Sequence, residues 1–98
     1  MEEFTINLNG EKYVSNDETS LGEPSLTILL SDNTSIEVTH EEDGLSEEEQ
    51  YFSIRHHCSD EDFNEHYYHS TMGIIEQYVA TTTEETENII NLMMSKIM

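Results

Sequence analysis

The side chains able to do chemistry crowd into one stretch, Glu41 to His69, EEDGLSEEEQYFSIRHHCSDEDFNEHYYH. It holds ten of the 22 acidic residues, four of the five histidines, the single cysteine and three of the five tyrosines. Such a set is open to three chemistries: metal ligation, nucleophilic catalysis and binding through charge. Each makes its own demand on spacing.

Metal ligation would use His56, Cys58, His66 and His69, a nitrogen and sulfur set of the kind zinc takes, with His66 and His69 three apart on one helix face. Zinc sequences usually carry two closely spaced ligand pairs, whereas one cysteine stands alone here, so this set is an alternative and no metal or other cofactor is expected. Asp60, Asp62 and Asn64 match the first, third and fifth positions of a calcium loop. Glu65 then stands where that loop needs glycine, and Thr71 where it needs a bidentate glutamate, which excludes an EF-hand. A Cys58 nucleophile served by His56 or His57 lacks a surrounding elbow, and the dense carboxylates suppress the attacking thiolate. Carboxylate pairs for glycoside cleavage arise by chance in so acidic a chain, which is too small for a sizeable cleft. An enzyme is not expected.

Charge is the third chemistry. Against the acids stand only Lys12, Arg55 and Lys96, and the net charge of −19 exceeds what solubility requires and works against compaction. It excludes direct binding to nucleic acid or to an anionic membrane, since both reward Lys and Arg. The fitting partner is a basic surface. Two acidic segments, Glu41 to Glu49 and Asp60 to Glu65, flank Tyr51 to His57, and a fold that joins them displays up to ten carboxylates on one side. Duplex DNA presents a similarly dense row of negative charge. Tyr51, Phe52, Tyr67 and Tyr68 would add aromatic anchors. As pH falls, the five histidines gain protons and relieve part of the repulsion, so greater stability at about pH 6 than at about pH 8 is expected at low salt.

The elements that must position these residues are legible in the apolar periodicity, which also argues against a disordered chain. Phe4, Ile6 and Leu8 alternate up to Asn9-Gly10, a type I′ turn signal, so residues 3 to 15 read as a hairpin. Residues 16 to 25 are rich in turn formers and read as a loop. A second pair of strands follows, with Leu26, Ile28 and Leu30 before a turn at Ser31 to Ser35, and Ile36 and Val38 after it. Leu29 breaks the alternation and points to a second apolar surface. The run from Glu41 to Glu49 has six acids in nine residues and reads as an exposed loop or a frayed helix start. Tyr51, Phe52, Ile54 and Arg55 suggest a short strand, with a helix continuing from Ser46 to Cys58 as the alternative.

Ser59 followed by Asp60, Glu61 and Asp62 has the chemistry of a helix start, and Phe63, Tyr67, Ile74 and Tyr78 recur near helical spacing, so a helix is expected from Ser59 to about Ala80. Thr82 and Glu85 have capping-box spacing before a last helix whose apolar stripe is Ile89, Ile90, Leu92, Met93 and Ile97. Strands followed by helices imply one α+β domain, residues 1 to 98: an antiparallel sheet of about four strands with two C-terminal helices packed on one face. The other face would show Thr5, Asn7, Thr27, Glu37 and Thr39 to water. The start MEEFTINLNG has no signal-peptide pattern, no stretch reaches the length of a membrane span, and one cysteine forms no internal disulfide. A soluble protein of a reducing cytoplasm is expected.

In size, charge and strand-then-helix order the whole chain resembles the small acidic inhibitors carried by phages and other mobile elements, especially anti-CRISPR proteins of the DNA-mimic kind. The resemblance implies an inhibitor working in the cytoplasm of a bacterial host. Its partner would be a basic nucleic-acid-binding protein, a CRISPR nuclease or another defence nuclease, whose DNA-binding or DNA-reading surface it blocks. The residues facing that partner would be Glu41, Glu42, Asp43, Glu47, Glu48, Glu49, Tyr51, Asp60, Asp62, Glu65, Tyr67 and Tyr68. Other DNA mimics inhibit restriction enzymes or uracil-DNA glycosylase, and the sequence does not choose among these targets. Two readings stand beside it: an interaction or structural protein of a phage or bacterium that forms a homodimer or docks through Leu92, Met93, Met94 and Ile97, and a small metal-binding regulator.

Overall fold

A computed structural model describes residues 3–15, 17–57 and 74–96. The chain opens with a hairpin of β1 (Thr5–Leu8) and β2 (Glu11–Val14). Asn9 and Gly10 both take positive φ, 52° and 85°, as the tight turn between right-twisted strands demands. Period-two alternation puts Phe4, Ile6 and Leu8 on one side, and all three are buried. Ser15 closes the base: its N–H donates to the Phe4 carbonyl at 2.9 Å, and its hydroxyl accepts the Phe4 N–H at 2.9 Å.

The larger sheet has five antiparallel strands in sequence order: β3 (Asp17–Glu18), β4 (Pro24–Leu29), β5 (Ser35–Glu41), β6 (Tyr51–His57) and β7 (Ile74–Ala80). Its register places Ile28 opposite Ile36, Val38 opposite Ile54 and Phe52 opposite Ala80. These residues and Leu26 make one apolar face. Helix α1 (Thr83–Ser95) packs against β1, β6 and β7, burying Ile90 and Met93 in the same core as the hairpin's apolar stripe. Each such side chain contributes about 1.5–3 kcal/mol when fully buried. Glu87 of α1 accepts the Asn7 N–H of β1 at 2.7 Å and so ties the helix to the hairpin.

The α+β class and the antiparallel strands agree with the sequence reading, and three features depart from it. The sheet has five strands where about four were expected, and the first hairpin forms a separate two-stranded sheet. Among the described residues there is one helix, because Ile74–Ala80, the last third of the expected Ser59-to-Ala80 helix, is strand β7. The first part of that helix lies outside the described residues. IIEQYVA is rich in β-branched and aromatic residues, and the ladder with β6 overrides a helical spacing that those same residues also satisfy. Between the two expectations for residues 46 to 58, the strand is correct for Tyr51–His57.

The outer sheet face also differs. Thr27 and Glu37 lie on it, whereas Thr5 and Asn7 belong to the hairpin. Thr39 is buried, and its hydroxyl has no hydrogen-bond partner among the described residues. Leu29, at the end of β4, is 75% exposed and covers no second core among the described residues. No described helix is long and apolar enough to cross a membrane.

Candidate acidic binding groove

The segment between β5 and β6 is shaped by a carboxylate that precedes it by some 20 residues. Glu23, buried beside the start of β4, accepts the N–H groups of Glu42 at 2.7 Å and Asp43 at 3.0 Å. Burial alone would push this carboxyl up, yet the Asp43 and Glu42 amides hold it below its usual range, so it stays charged and clamps the loop. The chain then turns at Gly44, where φ is +75°, with the Leu45 N–H on the Glu42 carbonyl at 3.0 Å. One further turn follows. The Glu49 N–H donates to the Ser46 carbonyl at 3.0 Å, and the Glu49 carboxylate accepts the Ser46 N–H at 3.2 Å. The Ser46 hydroxyl and amide together lower the Glu49 carboxyl.

This loop and the hairpin enclose an open groove of about 590 Å³. Its floor is aromatic. Phe52 meets Phe4 edge to face, ring centroids 5.2 Å apart at 76°, and His40 stacks on Phe52 at 4.7 Å and 26°. Its walls carry three carboxylates, Glu3, Glu42 and Glu47, with Gln50 beside them. His40 Nδ1 lies 2.9 Å from Glu42 Oε2, which orients the imidazole and holds that wall in place. Carboxylates lining one groove with aromatic side chains suit a cationic side chain, because both the charges and the ring quadrupoles attract it.

The fold separates acids that lie side by side in the sequence. Glu42 and Glu47 enter the groove, while Asp43 and Glu48 are exposed and Glu49 is engaged with Ser46. Glu41 turns to the opposite sheet face, where its carboxylate accepts the Ser53 hydroxyl at 3.2 Å and lies 3.5 Å from Arg55 Nη2. Burial first, and then the charge of Glu23, push the Glu41 carboxyl up. Arg55 also reaches Glu37 at 3.4 Å, and His57 Nε2 stands 3.3 Å from the same carboxylate. Tyr51, half-buried, pairs with Glu41 across the strands. Asp60, Asp62, Glu65, Tyr67 and Tyr68 lie outside the described residues.

Sequence reasoning missed Glu3, Phe4, His40 and Gln50 as site residues, and Glu23 as the clamp. His40 was within reach of it: two positions beyond Val38, it shares the inward face of the same strand.

Of the four alternative metal ligands, His56 is committed elsewhere. Its Nε2 is 2.8 Å from the Thr34 hydroxyl, and its Nδ1 is 3.8 Å from Glu76. Cys58, His66 and His69 lie outside the described residues. Among those described, no three His, Cys, Asp or Glu side chains are grouped to hold a metal ion. The Thr34–His56–Glu76 line has the order of a nucleophile, base and orienting acid. Thr34 is buried, however, and its hydroxyl also bonds Asp32, so the line locks the β4–β5 turn to β6.

No protein family, no curated protein and no solved structure matches this chain.

Proposed function

We propose that the protein is an acidic inhibitor that occupies the nucleic-acid-binding surface of a basic partner, with a host-defence nuclease, above all a CRISPR effector, as the target class. The groove supports this reading: Glu42 and Glu47 stand with Glu3 around an aromatic floor, suited to the Lys and Arg side chains that line a nucleic-acid channel. The net charge of −19 would steer the encounter, raising the association rate steeply at low salt. Binding would then exclude DNA by occupancy.

The test uses the purified chain as bait against candidate nucleases, with DNA binding by the captured nuclease as the readout. Capture at low salt that weakens at least roughly tenfold when Glu47, Glu48 and Glu49 are reversed to lysine, with matching recovery of DNA binding, is the expected result. A captured nuclease that still binds DNA at full strength refutes the blocking mechanism.

A second reading, docking through the last helix, has its own support. Leu92 is 65% exposed beside an apolar cleft of about 140 Å³ formed with Tyr78, Ile89, Met93 and Lys96.

A further inference from the structure

The walls and floor of the groove define the side chain it would receive. Lysine offers one compact ammonium, strongly hydrated, with three donors but no flat face to lay on a ring. Arginine offers a planar guanidinium with five donors, able to engage two carboxylates through its edge while its flat face lies against an aromatic ring. The groove supplies both halves. Glu42 comes from the start of the β5–β6 loop and Glu47 from further along it, and Glu3 stands on the hairpin side. The rings of His40 and Phe52 are stacked nearly parallel, and His40 keeps part of its side chain exposed, 22%, toward solvent.

We propose that this groove is an arginine-receiving site, in which one guanidinium of the partner lies over the His40–Phe52 stack and pairs with Glu42 and Glu47. The inference rests on the reading of the chain as a binder of basic proteins and adds the side chain selected. His40 has a defined part in it. It already bonds Glu42 at 2.9 Å, so the wall is oriented before the guest arrives and little ordering is left for binding to bring about. The clamp formed by Glu23 on the Glu42 and Asp43 amides fixes the same wall from behind.

A monovalent probe tests the site without the multivalent pull of the whole acidic surface. N-acetyl-arginine amide and N-acetyl-lysine amide are titrated separately into the labelled protein while backbone amide shifts are followed. Arginine is expected to move His40, Glu42, Glu47 and Gln50 in a saturable way, with lysine at least roughly threefold weaker. Glu47→Gln, at an exposed position, is expected to lower the arginine response roughly threefold or more without unfolding the chain, and Glu42→Gln to do the same. Equal shifts from both probes, or shifts spread over all acidic surfaces, overturn the assignment. Hexalysine serves as the control for the underlying reading. If it binds at low salt while arginine leaves the groove unmoved, the groove assignment alone fails; if hexalysine does not bind either, the acidic-binder reading fails with it.

Discussion

Two carboxylates with opposite settings show how closely function and stability are joined at the level of single residues. Glu23 is held ionised by backbone amides, while Glu41, nearby, is pushed toward its neutral form by burial and by the Glu23 charge. The signs follow by linkage. A carboxyl lowered in the fold contributes stability above its unfolded value, and that contribution is lost as pH falls through the folded value. One raised in the fold does the reverse, so stability drains away as pH climbs toward neutrality. Glu41→Gln is therefore expected to raise the melting temperature at about pH 7 and to leave it unchanged at about pH 3, where both forms are uncharged. Glu23→Ala is expected to cost roughly 2 kcal/mol near neutral pH, since it strands the Glu42 and Asp43 amides, and to speed their hydrogen exchange. Thermal melts across pH, with exchange rates at those two amides, check the pair. A melting temperature for Glu41→Gln below that of the parent at pH 7 counts against this assignment.

At the scale of elements, local signals proved readable and long-range ones did not. Asn9-Gly10 and the Thr82 cap are complete within a few residues, and both appear where the sequence placed them: Thr82 Oγ1 accepts the Glu85 N–H at 3.1 Å. Thr82→Ala is expected to lower stability by about 1 kcal/mol, as measured by denaturant unfolding, with Thr82→Ser restoring most of it. The Glu85 carboxylate accepts the Thr81 hydroxyl at 3.2 Å in place of the Thr82 N–H, so only the Thr82 half of the capping box forms. Strand β7 was illegible for a physical reason. Ile74 with Tyr78, and Ile75 with Val79, satisfy the helical spacing of four, and only the ladder with a strand some 20 residues away decides against it. The groove followed the same rule. The acids Glu42 and Glu47 could be named from the sequence, but their aromatic floor depends on the register that sets His40 opposite Phe52.

The whole molecule is governed by unbalanced charge. Two of the three basic side chains stand close to acids, Arg55 near Glu37 and Glu41 and Lys96 3.6 Å from Glu76, and the rings of His40, His56 and His57 each lie within 4 Å of a carboxylate. Such partly exposed pairs contribute little individually, and most of the 22 acids have no cation to meet. Added monovalent salt should thus stabilise the fold by screening repulsion, even as it weakens capture of a basic partner. Melting curves at about pH 6 and pH 8 in low and high salt check this. The melting temperature is expected to rise with salt at both pH values, and the advantage of pH 6 to shrink as salt is added. A fall with salt would mean that attractive pairs dominate.

The bond between Glu87 and the Asn7 amide, 80 positions apart, also bears on how the chain is made. The first hairpin can close as soon as it is synthesised, because its turn is local. Its apolar stripe of Phe4, Ile6 and Leu8 gains its helical cover only when α1 emerges. Assembly of this core thus awaits that helix, and a ribosome stalled before Thr83 would hold a nascent hairpin with that stripe still lacking its cover.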